Sequence, residues 1–215
     1  DMGLDYVAPA GGVLAGLTGL AEGYAVRIAG EGTWSNWRGH ALATRWPPAA
    51  VGAPEQDRVA GFRLTNHAGR FGVLGEVRAP LGQDSLPGRA LGRSTALAAS
   101  FLLEDRLVAG RAAVVSEALD LRLAGGVDLK ASNVERLVLR AALRDPALLG
   151  PEVQLEQARF VAGITGRFSD LALDHQLAIA RVGAGEIEVR DLRQAGMARY
   201  TRGKFTLPLA LTAKA

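Results

Sequence analysis

The chain of 215 residues has no cysteine. That excludes disulfides, thiolate metal sites and a cysteine nucleophile, and it fits an oxidising compartment without disulfides as readily as the cytosol. Lysine is nearly absent as well, since 22 of the 25 basic residues are arginine. No run of four or more basic residues occurs. With a net charge of only +3, the pI of 9.7 is weak support for a nucleic-acid partner, though exposed arginines can still meet anionic head groups. No apolar run is long enough to cross a bilayer. The best candidate, VAPAGGVLAGLTGLA at 7–21, is too short, too rich in glycine and without a basic flank; it reads as loop and the start of a strand. Asp1 precedes Met2, so the chain is expected to be a piece of something longer, with any export signal or membrane anchor outside it.

Motifs that carry chemistry are equally scarce. His40, His67 and His175 are far apart and lack zinc-ligand spacing. GEGTWS (30–35) begins like a dinucleotide fingerprint, but it ends on Ser35 and no helical pattern follows. A nucleophile elbow, a phosphate loop, an EF-hand and a glycosylation sequon are all missing. Asp174 and His175 are adjacent, which on a strand points them to opposite faces. His175 shares the parity of the neighbouring leucines, so it is expected to face inward as a satisfied or rim histidine, with a catalytic role as the weaker reading. The chain is expected not to be an enzyme and to hold neither cofactor nor metal.

Glycine and alternation are what the sequence does have. The 27 glycines favour turns and closely approaching strands over a helical bundle. In EALDLRLAGGVDLKAS (117–132), Leu119, Leu121, Leu123, Val127 and Leu129 occupy odd positions, with Asp120, Arg122, Asp128 and Lys130 between them. That is the period of a strand. Gly125 and Gly126 allow two readings. A three-residue loop, Ala124 to Gly126, would pair Leu123 with Val127, whereas one long strand through the glycines keeps the same parity.

Similar segments recur along the chain. YAVRIA (24–29) and WRGHALATRW (37–46) flank the compact turn EGTWSN, and PPAAVGAPEQD (47–57) is a proline-rich loop. Residues 59–79 read as a hairpin pairing Leu64 with Phe71 across a six-residue loop, Thr65 to Arg70. TALAASFLL (95–103) fits a short helix or a buried strand equally. Leu137 and Leu139 share one face of 134–143, a break follows at 144–150, and Leu171, Leu173, Leu177 and Ile179 share one face of 171–182. Ile187 and Val189 are expected at the same parity. A last hairpin pairs Tyr200 with Phe205, and Pro208 marks an edge strand. Trp34, Trp37 and Trp46 read as a hydrophobic plug between hairpins or as a wet rim. Roughly a dozen strands at this spacing make the fold all-β. The row is then either the core of a closed β-sandwich or the lining of a sheet that curls without closing.

The texture of GLAEGYAVRIAGEGTWSNWRG (19–39), AGGVDLKASNVERLVLRAALRDPALLG (124–150), GRFSDLALDHQLAIARV (166–182) and KFTLPLALTA (204–213) resembles the β-repeats of TamB-like proteins in the AsmA-like superfamily. The resemblance implies a single β-repeat segment over 1–215, with the loop at 47–57 and a weak subdivision near 144–150. It implies an elongated, curled antiparallel or mixed sheet forming an open groove, in a periplasmic protein anchored to the inner membrane outside this segment. The implied partners are phospholipid acyl chains, moved between the inner and outer membranes. An Omp85-type outer-membrane protein is a further implied partner, in outer-membrane protein assembly and through regions outside this segment. The positions matching the groove lining are Leu119, Leu121, Leu123, Val127, Leu129, Leu137, Leu139, Leu171, Leu173, Leu177, Ile179, Ile187, Val189, Phe205, Leu207 and Leu209. The competing reading is a structural or binding β-domain, a sandwich or solenoid module, without lipid transport.

Overall fold

The computed structural model describes residues 2–8, 10, 23–47, 58–78, 90–146, 154–184, 187–206 and 210–214. They form one open antiparallel sheet of fifteen strands. The strands are β1 (Met2–Ala8), β2 (Gly23–Thr33), β3 (Asn36–Trp46), β4 (Arg58–His67), β5 (Arg70–Val77), β6 (Thr95–Glu104), β7 (Leu107–Ser116) and β8 (Leu119–Asp128). They continue as β9 (Asn133–Leu143), β10 (Gln154–Glu156), β11 (Arg159–Arg167), β12 (Asp170–Ala184), β13 (Ile187–Thr201), β14 (Lys204–Thr206) and β15 (Ala210–Lys214). Neighbours in sequence are neighbours in the sheet, except that β10 extends alongside β12 and β15 alongside β13. The 95–103 segment is therefore a strand.

The closed sandwich is excluded by burial. Among the described residues no large side chain is fully buried, and the buried hydrophobics are mostly alanines: Ala8, Ala118, Ala162 and Ala198, with Tyr24, Val59 and Val134. A sandwich core would bury rows of Leu, Ile and Val between its sheets. The chain divides into two compact units, residues 1–100 with 115–117 and residues 101–114 with 118–215. The division therefore falls in β6 and β7, while most of the loop at 47–57 and residues 147–150 lie outside the described residues.

In the first unit, β2 to β5 pair so that Val26, Ala43 and Ala60 fall on one face with Ile28, Ala41, Phe62 and Gly75. Arg27, Leu42, Gly61 and Glu76 fall on the other. On the apolar face the Trp37 indole covers two glycines. A Cβ at Gly39 would sit 2.6 Å from Trp37 Cζ2, and one at Gly30 would sit 2.6 Å from Nε1. Phe62 leans over Gly75 in the same way. The tryptophans do not form a plug: Trp34 stands in a turn at 80% exposure, and Trp46, at the far end of β3, is 47% exposed. The 59–79 hairpin is tighter than its sequence suggests. Leu64 pairs with Val73 rather than Phe71, and the loop is the two residues Ala68 and Gly69. Both have positive φ, 48° and 79°, the backbone of a type I′ turn whose twist matches the strands. Buried Asn66 ties this turn to its neighbour, donating to the Trp34 carbonyl and accepting from Gly69 N at 3.2 Å.

In the second unit, β8 runs unbroken through Gly125 and Gly126, which excludes the three-residue loop. Gly125 has φ +152° and a Cβ there would collide with the Arg136 carbonyl. The register with β9 then slips, Gly126 facing Arg136 but Val127 facing Val134. This β-bulge transfers the apolar position on β9 from odd residues to the even Val134, which is buried. A second irregularity crosses β10 to β13. Gln157 and Asp191 adopt positive φ, 52° and 49°, and pairing lapses between Ala178 and Arg181 on the β11–β10 side. Beyond it the half-buried residues are Leu155, Val182 and Val189, paired in that order.

Candidate functional site

The apolar face of the second unit is assembled from four cross-strand rungs over β8, β9, β11, β12 and β13. They read Leu121–Ala141–Phe160–Leu177–Gln194, Leu123–Leu139–Ala162–His175–Gly196, Gly125–Leu137–Ile164–Leu173–Ala198 and Val127–Val134–Gly166–Leu171–Tyr200. Leu119 with Leu143, and Ile179 with Leu192, extend the two sides. None of these residues is Asp, Glu, Lys or Arg. Five strands at about 4.8 Å give a width of roughly 19 Å, and four rungs span about 20 Å along the strands. The surface is on the order of 400 Å², the size at which an apolar patch on a single chain signals an interaction. Its leucines are half-buried, shielded by neighbours on the same face, and among the described residues of this unit no second layer covers them.

Across these four rungs, charge is confined to the opposite face. Arg122 Nη2 lies 2.9 Å from Asp120 Oδ2, and Arg199 makes two 2.9 Å hydrogen bonds to the Asp170 carboxylate. These donated hydrogen bonds hold the Asp120 and Asp170 carboxyls below their ordinary pKa. Arg190, seconded by Arg181, does the same for Glu188. Over the four rungs the sheet therefore presents one uncharged side and one carrying arginine–carboxylate pairs, while Arg181 and Arg190 pair beyond Ile179–Leu192.

Most residues expected to line the apolar row do share it. Leu119, Leu121, Leu123 and Val127 on β8, Leu137 and Leu139 on β9, and Leu171, Leu173, Leu177 and Ile179 on β12 occupy the rungs or their flanks. Leu129 does not: it sits in the turn after β8 and is 53% exposed. Val189 does not continue the odd row of β12 either. Odd residues of β12 face even residues of β13, and Val189 meets Val182 past the Asp191 irregularity. Ile187 pairs with Ala184 beyond it, so the parity expected for both is corrected. Phe205 pairs with Tyr200 as expected but is 60% exposed on the short strand β14. Leu207 and Leu209, like Pro208, lie outside the described residues.

One polar pair interrupts the leucines. His175 is only 4% exposed and Gln194 only 8%, and their Nε2 atoms are 2.7 Å apart. His175 Nδ1 is buried without a hydrogen-bond partner, and the Phe160 ring lies 6.3 Å from the imidazole. The inward orientation of His175 was legible from its parity. Gln194 was not, because it reaches His175 only through the β12–β13 register. Among the described residues no cluster of His, Asp or Glu could hold a metal ion, so the arrangement offers apolar contact and one hydrogen-bonding station.

No protein-family model matches the chain, and neither does any curated protein or any solved structure.

Proposed function

We propose that this chain is a section of an apolar β-surface that carries phospholipid acyl chains, in the manner of the TamB-like proteins its sequence resembles. The observation that carries the reading is the four-rung face of the second unit, uncharged and with no second layer over it among the described residues of that unit. Exposing an acyl chain to water costs about 0.8 kcal/mol per methylene, on the order of 10 kcal/mol for a whole chain. An aliphatic lining offsets that cost by burial and dispersion, which have no preferred direction, so a chain can slide without meeting a trap. The face is about as long as the ~15 Å of hydrocarbon in one bilayer leaflet. The resemblance extends the reading to the cell envelope, with phospholipid passing between inner and outer membranes and outer-membrane protein assembly supported through an Omp85-type partner.

Native mass spectrometry of the purified chain, with extraction and identification of bound lipid, tests this. Co-purifying phospholipid is expected, and Leu121→Asp and Leu173→Asp should abolish it while the β-structure survives, because neither leucine is fully buried. A folded chain that carries no lipid, or lipid retained in both variants, would overturn the reading in favour of a structural β-module.

A further inference from the structure

A five-residue pattern recurs at two turns, Gly32-Thr33-Trp34-Ser35-Asn36 and Gly166-Arg167-Phe168-Ser169-Asp170. Both glycines have positive φ, 112° and 107°, and a Cβ at Gly166 would come within 2.6 Å of the Asp170 carbonyl oxygen. Glycine thus sets the turn, and each turn lifts an aromatic ring into solvent: Trp34 is 80% exposed and Phe168 43%. The fold has no use for a ring at either tip. Burial does not hold it, and a polar residue would serve the turn as well.

In the second unit the tips are bound to one another. Leu129 N donates to the Arg106 carbonyl at 2.9 Å, Phe168 N to that of Ser132 at 2.9 Å, and Arg202 N to that of Ser169 at 3.0 Å. The turns at 129–132, 168–169 and 202–203 therefore stand side by side along one edge. Leu129 and Phe205 join Phe168 as exposed apolar side chains there, at 53% and 60%. Between them stand exposed cations, Lys130, Arg167, Arg202 and Lys204. Asp128 and Asp170 are already matched, with Arg106 at 3.3 Å and Arg199 at 2.9 Å, and the exposed acids Glu104 and Asp105 lie at the adjoining β6–β7 turn. Those four cations form no ion pair among the described residues, so the edge combines apolar tips with unpaired positive charge.

We infer that this edge docks on the surface of a bilayer containing anionic lipid, the apolar tips entering the head-group layer while the cations meet phosphates. The inference does not rest on the acyl-chain reading, since it concerns the turns and not the rungs. Flotation of the chain with phosphatidylglycerol–phosphatidylcholine vesicles, against pure phosphatidylcholine vesicles, tests it at low and high salt. Binding is expected only to the anionic vesicles, weakened by salt. Lys130→Glu with Arg202→Glu should weaken it more than tenfold, each lost charge alone being worth roughly fivefold, and Phe168→Ser should weaken it severalfold. Arg140→Glu with Arg111→Glu, the same charge change in mid-strand, should weaken it far less. Leu121→Asp should leave it intact. Equal binding to both vesicles, or equal losses from the edge and mid-strand reversals, would overturn the assignment.

Discussion

The two units build an apolar sheet face from the same alternation but with different materials. In the first, rings are laid over glycines, Trp37 across Gly30 and Gly39 and Phe62 against Gly75. In the second, leucines repeat rung after rung, and at Gly125 the atoms nearest to a Cβ are all backbone, the Arg136 carbonyl oxygen first, with no ring among them. Rings over glycine saturate the face with fixed contacts, as the aromatic filling of glycine gaps in sheets does generally. Aliphatic rungs leave a surface of mobile methyls that a flexible chain can share. An acyl ligand is therefore better matched to the second unit than to the first.

The sharpest way to break that comparison is to add a side chain at each kind of glycine. At Gly125 both the backbone angle and the Arg136 carbonyl forbid a Cβ. Gly125→Val should cost about 3 kcal/mol in urea unfolding. At Gly30 only the Trp37 ring stands in the way, and a ring can shift, so Gly30→Ala should cost about 1 kcal/mol and change the tryptophan emission. Equal costs would mean that the first unit is as rigidly packed as the bulge.

Each unit holds one buried side-chain nitrogen without a hydrogen-bond partner among the described residues, Trp37 Nε1 in the first and His175 Nδ1 in the second, and the buried amides Asn66 and Gln194 differ in what they engage. Asn66 in the first unit is only 5% exposed and engaged at both ends of its amide. Asn66→Leu should cost about 2 kcal/mol, since two turn groups then lose their partner. His175 in the second unit is engaged at one nitrogen only. His175→Leu alone strands Gln194, whereas His175→Leu with Gln194→Leu removes the unpartnered nitrogen of this pair and adds apolar contact. The double variant should be at least as stable as the parent and about 1 kcal/mol better than the sum of the singles. Strict additivity in this cycle would mean that the 2.7 Å contact contributes nothing.

How far the fold was legible follows from the same residues. Alternation is written by the pleat itself, so the rows at 119–127 and 171–179 could be read directly, as could the inward side of His175. The Tyr200–Phe205 pairing was legible because the turn between is short and contains Gly203. The failures lie where the count of residues per face changes. Ala68 in a left-handed conformation tightened a loop that looked six residues long. The slip after Gly126 moved the β9 row to Val134, and the pairing of Ala184 with Ile187 set odd residues of β13 against even residues of β12, which removed Val189 from the row it was assigned to. A tight turn or an extra residue in a bulge leaves no mark in a hydrophobic pattern, so a register counted across it is lost. Openness was undecidable for a different reason, because a roofed and an unroofed face share one alternation.

The smallest effect expected concerns the charged face of the second unit. Asp120, Asp170 and Glu188 have carboxyl pKa values lowered in the folded chain, chiefly by hydrogen bonds from Arg122, Arg199 and Arg190. A lowered folded value means that the unfolded chain binds the proton first. The stabilisation is therefore complete above the ordinary carboxylate range near pH 4 and is lost as pH falls through the folded values. The groups are exposed, so the effect is slight and screened by salt. The informative quantity is a difference: the urea midpoint of the parent minus that of Arg199→Gln, followed from neutral to acid pH. It should be small and positive at neutral pH in low salt, shrink as Asp170 takes up its proton, and nearly vanish in molar salt. A difference that persists in acid would mean that Arg199 stabilises β13 by packing its aliphatic stem rather than by its pairing with Asp170.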